Sequence, residues 1–306
     1  MKVLVTGGRG MLGCHIQDKL WTTSHEGIFV GSNDYDLTSQ FQVRKLFEET
    51  MPDVVIHAAA RVGGIQENID YPIEFLEQNI LMNTNVIHEA YKYGVKKLIG
   101  VSSTCVYPDA LPEDYYPLEE NYLHLGPPTP TNFGYAMAKR VMGTQIELYR
   151  EKYGIDYSTI YACNLYSQYD NFNNEKKAHF VTALIKKIQN CIDNDEVVLK
   201  LFGTGNPLRQ FIHASDLADI IVQSIDKILK TDFNVAGDEC HSIREMAEIA
   251  LDVLDKDLIL NFDTLMPDGQ IRKDASNKKM REIFPDFEFI PFANGIESVY
   301  NSVLNE

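Results

Sequence analysis

Five short runs rich in β-branched residues, each set off from the next by longer helical patterns, constrain this chain more than any other feature. The runs are KVLVTG (2–7), GIFVG (27–31), DVVIHAAA (53–60), KKLIGVSS (96–103) and DYSTIYACN (156–164); helical patterns cover about 11–21, 41–50, 73–93, 133–153 and 178–191. Strands alternating with helices predict right-handed crossovers and a parallel sheet. After about residue 165 the rhythm loosens. NLYSQYDNFNNEKKAH is polar and turn-rich, VVLKLFGTGNPLRQFIH (197–213) reads as strands around a glycine-rich turn, and helices follow near 215–229 and 242–255. The pattern predicts an α/β protein: a doubly wound parallel sheet of Rossmann type over 1–165, to which some later segments return, and a smaller α/β region over 166–306.

Length and composition bound what such a fold can do. At 306 residues, one large unit or a main domain with a smaller partner fits. The formal charge of −16 argues against nucleic-acid or anionic-membrane partners, because an acidic field repels phosphate. No apolar run approaches a bilayer span, and the amino terminus turns glycine-rich too early for a signal peptide, so a cytoplasmic protein is expected. The five cysteines (14, 105, 163, 191 and 240) are widely spaced with no Cys-x-x-Cys pair, which supports neither a disulfide framework nor a zinc site.

The first run ends in VLVTGGRGMLG, with Gly7, Gly10 and Gly13 between a strand and a helix. Glycines there let the backbone turn tightly and approach a pyrophosphate, while the helix start offers free N–H groups. A glycine triplet also serves a plain strand-to-helix turn; its place at the head of a βαβ pattern favours a dinucleotide. The second strand ends in Gly31, Ser32 and Asn33, with no acid until Asp34, and Arg9 sits inside the loop. A 2′-phosphate wants a cation and no carboxylate, so NADP(H) is the expected cofactor.

The second motif is YAMAK, which puts Tyr135 and Lys139 four residues apart on one helix face. A lysine beside a phenol is expected to lower its pKa and make it a proton donor and acceptor near neutrality, as hydride chemistry at a carbonyl requires. Strand ends in a parallel sheet aim at the cofactor crevice, so SSTCVYP (102–108) is expected beside Tyr135, with Ser103 on the substrate oxygen.

The set Gly7, Gly10, Gly13, Ser103, Tyr135 and Lys139 resembles the extended short-chain dehydrogenase/reductases. AARVGGI (59–65), SSTCVYP, PTNFGYAMAK (130–139), NLYSQYDNF (164–172), FGTGNPLRQFIH (202–213) and PDGQIRK (267–273) resemble, in order, the GDP-L-fucose synthase family over nearly the whole chain. The resemblance implies epimerisation of GDP-4-keto-6-deoxy-D-mannose at C3 and C5 and reduction at C4 with NADPH. It implies Cys105 as base and His179 as acid, beside Ser103, Tyr135 and Lys139. Candidate cofactor contacts are Gly7, Arg9, Gly10, Met11, Leu12, Gly13, Ser32, Asn33, Ala59, Tyr135, Lys139, Asn164 and Leu165; candidate substrate contacts are Lys187, Phe202, Arg209 and Lys273. Two departures stand out: Lys187 where the family usually has arginine, and Ser167, Gln168 and Tyr169 where it has Gly-Pro-His. They leave a GDP-colitose or GDP-heptose type of substrate open. A 4-epimerase that retains NAD, and a dinucleotide-sensing regulator without catalysis, are the other readings. The resemblance also implies a homodimer through the helices at 73–93 and 133–153, with Phe75, Leu76, Ile80 and Val86 as candidates for the interface or for packing on the sheet.

Overall fold

The computed structural model describes residues 1–170, 172, 179–266 and 268–304; Asn171, Ala178 and Pro267, which belong to segments quoted above, lie outside the described residues. The first half runs β1 (Lys2–Thr6), α1 (Met11–Leu20), β2 (Glu26–Val30), α2 (Gln40–Thr50), β3 (Val54–His57), α3 (Ile65–Asp70), α4 (Pro72–Lys92), β4 (Lys97–Ser103), α5 (Phe133–Tyr153) and β5 (Asp156–Ala162). The second half runs β6 (Asn164–Tyr166), α6 (Phe180–Asp193), β7 (Val198–Phe202), β8 (Leu208–Arg209), β9 (Phe211–His213), α7 (Ala214–Ser224), β10 (Phe233–Val235), β11 (His241–Ser242), α8 (Ile243–Val253), β12 (Ile259–Asp263), α9 (Lys278–Ile283) and α10 (Phe292–Leu304).

Six strands form one parallel sheet in the order β10-β5-β4-β3-β1-β2. The strand pleat sends Val3 and Val5 of β1 into a core shared with Leu12 and Ile16 of α1 and Leu217 and Ile221 of α7. Leu4 points the other way, into a core with Val43 and Phe47 of α2, Val86 and Ile87 of α4, and Met142 and Ile146 of α5. Helices therefore cover both faces, as the alternating pattern predicts. The chain leaves β1 toward β2 on one side and returns to β3 on the other. That reversal opens a crevice at the carboxyl ends of β1 and β3, where such sheets bind ligands.

Local chemistry sets the long helices. Pro72 opens α4, where its missing N–H costs nothing, and Gly154 ends α5 at φ +67°. Of the four apolar candidates on α4, Phe75 and Val86 are fully buried in this chain's own packing. Ile73 and Leu81 on α4, and Val141 and Leu148 on α5, are among the exposed apolar residues of these helices.

A second core joins α6, β7, α8 and α10 through Leu184, Ile188, Leu199, Met246, Ala250 and Ile296. The strands expected around the glycine-rich turn form, but they do not pair with one another. Gly203 and Gly205, at φ +77° and +81°, turn the chain away. As a result β7 pairs with β12, β8 with β11, and β9 with β6. Among the described residues no helix is long and apolar enough to cross a membrane.

Candidate active site

The glycine loop is a cradle that any side chain would fill. A Cβ at Gly7 would lie 2.8 Å from the Ala59 nitrogen, and one at Gly13 would lie 2.3 Å from the Gly7 carbonyl oxygen. Gly10 caps α1 with no side chain on the first N–H groups, so those donors face the crevice. Met11 is half-buried and Leu12 is buried in the core beside the cradle. Ser32 and Asn33 are exposed in the turn after β2. That turn also brings back the acid that strand β2 lacks: Asp34 accepts from the Gly31 N–H at 2.8 Å and from Arg9 Nη2 at 2.7 Å. Arg9 therefore stands at the cradle's rim, exposed but held by a carboxylate.

Beneath the cradle runs a buried chain that the sequence motifs do not reveal. Thr6 Oγ1 and His57 Nδ1 share a hydrogen bond of 2.7 Å, His57 Nε2 meets Asn83 Oδ1 at 2.9 Å, and Asn83 Nδ2 donates to the Ala138 carbonyl at 3.4 Å. Burial, and then the charge of Lys139, push His57 down to about 3, so it is a neutral strut tying β1 and β3 to the helix that carries Tyr135 and Lys139.

Ser103 ends β4, and its Oγ accepts the Cys105 N–H at 3.2 Å. Lys139 is buried, donates to the Val101 carbonyl at 2.7 Å, and lies 6.0 Å from the centre of the Tyr135 ring. Burial pulls Lys139 down to about 7. The expected lowering of the Tyr135 pKa is corrected: burial, and then negative charge at Cys105, raise it well above the ordinary phenol value. Tyr135 is a neutral phenol, a donor.

Cys105 and His179 have opposite settings. Burial opposes ionisation of Cys105, but the charge and hydrogen bond of Lys273, with hydrogen bonds from Ser103 and Asn132, outweigh it and lower the thiol pKa. Lys273 Nζ donates to the sulfur at 2.8 Å. Burial would lower His179, but a hydrogen bond to Asp170, that carboxylate's charge and then the charge at Cys105 raise it above the ordinary value. His179 Nδ1 meets Asp170 Oδ1 at 3.0 Å, and Thr182 Oγ1 donates to the other carboxylate oxygen.

The structure thus brings Cys105 together with Ser103, Tyr135, His179, Lys273 and Arg209, whose guanidinium is lowered by burial and raised by charge at Cys105. Arg209 Nη1 also donates to the Leu208 carbonyl at 2.8 Å. Lys187 and Phe202 meet each other, with Nζ 4.5 Å from the ring centre and donating to the Lys200 carbonyl at 3.0 Å. Asn164 Nδ2 donates to the Gln210 carbonyl at 3.0 Å, and Leu165 packs on the main core. The unusual loop is braced: Ser167 Oγ shares a 2.9 Å hydrogen bond with His15 Nε2 of α1 and accepts the Tyr169 N–H at 2.9 Å. Asp170, Asn132 and His57 escape motif reading, since each acts through a neighbour. The family model described as "NAD dependent epimerase/dehydratase family" matches residues 3–236.

The chain belongs to the NAD dependent epimerase/dehydratase family.

Within this epimerase/dehydratase family the chain is similar to a GDP-L-fucose synthase of Dictyostelium discoideum, 36% identical over 96% of this chain and 92% of that one. A GDP-L-colitose synthase of Yersinia pseudotuberculosis is 32% identical over 100% of this chain and 99% of its own. A solved GDP-L-fucose synthetase of Naegleria fowleri bound to NADP superposes with a TM-score of 0.89 at 31% identity, covering 99% of this chain and 94% of that one.

Proposed function

We propose that this chain is an NADPH-dependent epimerase/reductase that converts GDP-4-keto-6-deoxy-D-mannose to GDP-L-fucose, inverting C3 and C5 and then reducing C4. The observation that carries the reading is the opposed setting of Cys105 and His179. One group is pushed toward its deprotonated form and the other toward its protonated form in a single cluster, which supports Cys105 as base and His179 as acid.

The 4-ketone acidifies the hydrogens on C3 and C5. The Cys105 thiolate takes one as a proton, the carbon–hydrogen pair moves into the enolate, and the His179 imidazolium returns a proton to the carbon from the opposite face. Exchange with solvent resets thiol and imidazole for the second centre. Tyr135 donates to the enolate oxygen with Ser103 beside it, where preorganised donors act most strongly on developing charge. At C4 the same phenol supplies the proton as the ketone becomes an alcohol. Bound NADPH would supply the hydride.

The cradle at Gly7, Gly10 and Gly13 fits a pyrophosphate, because Gly7 lies too close to Ala59, and Gly13 too close to the Gly7 carbonyl, for side chains, and the first N–H groups of α1 have no side-chain cap. Arg9, with Asp34 as the group it exchanges, is our assignment for the 2′-phosphate. Arg209 offers a planar fork to the GDP diphosphate, with Lys187 and Phe202 at the nucleotide end. Residues 166–306 are our assignment for most of the substrate region. A cytoplasmic homodimer completes the reading, its contact made by the exposed Ile73, Leu81, Val141 and Leu148.

The test is incubation with GDP-4-keto-6-deoxy-D-mannose and NADPH, following nicotinamide absorbance and identifying the sugar by NMR. Stoichiometric NADPH oxidation with GDP-L-fucose as product is expected. A product inverted at one carbon would move the assignment to a colitose-type substrate, and no turnover of this 4-ketone, with a GDP-sugar bearing a C4 hydroxyl inverted there without net NADPH oxidation, would move it to a 4-epimerase.

A further inference from the structure

We infer that Lys273 is a positioning residue that holds Cys105 as a resting thiolate, the two forming a buried ion pair before any substrate binds. The inference rests on the proposed function only for the use made of that thiolate. Lys273 is 8% exposed, and its ammonium lies 2.8 Å from the Cys105 sulfur. The neighbouring carboxylate is engaged elsewhere: Asp274 takes Arg272 Nε at 2.6 Å and Nη2 at 3.0 Å. Among the described residues the sulfur is the one polar partner recorded for the Lys273 ammonium. A buried ammonium without a counter-charge is strongly disfavoured, so the sulfur must carry the negative charge or the lysine must give up its proton.

The surroundings favour the first state. The groups acting on Cys105 are Ser103, Asn132, Tyr135, His179, Arg209 and Lys273, from β4, the loop before α5, α5 itself, the loop before α6, β8 and the 271–275 segment. Among the described residues none of these groups is a carboxylate, and two are permanent or readily formed cations besides Lys273. The segment that carries Lys273 is also pinned. Leu208 N–H donates to the Ile271 carbonyl at 2.9 Å, Leu118 N–H to the Asp274 carbonyl at 2.8 Å, and Ala275 N–H to Gln210 Oε1 at 2.7 Å. A lysine with its backbone tied on both sides presents its ammonium at a set place, as an activating cation requires.

Alkylation of the free enzyme with iodoacetamide, mapped by peptide mass across pH, tests this without substrate. Cys240 is the internal reference, since it is exposed and its thiol is pushed up to about 11 by burial and then by Asp274. Cys105 is expected to react faster than Cys240 at neutral pH. Lys273→Met is expected to slow Cys105 at pH 7 by about tenfold or more, because an ordinary thiol is only a few per cent thiolate there. Lys273→Arg should restore most of the rate. Cys105 titrating as an ordinary thiol in the unaltered protein would overturn the inference even if Lys273→Met did not fold. So would a Lys273→Met alkylation profile that stays in place while KM for the GDP-sugar rises, the signature of a diphosphate ligand. The sugar-conversion experiment and this one can each fail alone.

Discussion

The proposed base, Cys105, and the proposed acid, His179, are set by different routes. Cys105 stands at the end of β4 in the doubly wound half and takes its cation from a residue 168 positions away. His179 stands just before α6 and takes its carboxylate from Asp170, nine positions away. Burial alone would leave a neutral thiol facing a neutral imidazole, which is no acid/base pair at all. Cys163 shows how strong burial is: although backbone hydrogen bonds and the charge of Lys273 act against it, burial pushes this thiol up to about 12. In this site the partners, not the reactive groups, decide the chemistry.

The largest expected effect falls on the step that both sides share. Tyr135→Phe removes the donor for the enolate and for the C4 alkoxide, and should lower the NADPH oxidation rate by about 10²- to 10⁴-fold with little change in cofactor binding. Steady-state rates and a fluorescence titration with NADPH check it. A loss of less than tenfold would mean that another group protonates C4.

A smaller effect separates the two sides. Asp170→Asn removes the bond and charge that raise His179, leaving burial to lower it. The acid must be protonated to act, so the high-pH limb of the kcat/KM profile should move to lower pH, and the rate near neutrality should fall on the order of tenfold per pKa unit lost. The low-pH limb, where the Cys105 thiolate is lost, should stay within a few tenths of a unit. Equal movement of both limbs would show that the two groups titrate as one system.

The same contrast explains what could be read from residues alone. The parallel sheet and its two helical faces follow from periodicity, because each strand and helix is a local pattern with its own apolar face. The cradle is legible because glycine is needed where Gly13 meets the Gly7 carbonyl. Cys105 and His179 are visible only through their resemblance to a family, since no spacing links them. Lys273 reads as a substrate contact; its contact with the Cys105 sulfur is not legible, because the pairing spans 168 residues and depends on how the 271–275 segment is pinned. The Tyr135 pKa is misjudged from YAMAK for a related reason: sequence shows the lysine but not the burial that overrides it. The second core is the least legible part, its strands pairing across long loops rather than with sequence neighbours.

The central claim is that Cys105 removes the protons that His179 replaces, separately from hydride transfer. It is tested most directly by turnover of GDP-4-keto-6-deoxy-D-mannose with NADPH in deuterated water, comparing unaltered protein with Cys105→Ser and locating deuterium in the product. The unaltered protein should carry deuterium at both C3 and C5, while Cys105→Ser should yield the unlabelled product of direct C4 reduction. Deuterium at both carbons at an unchanged rate in Cys105→Ser would contradict the account.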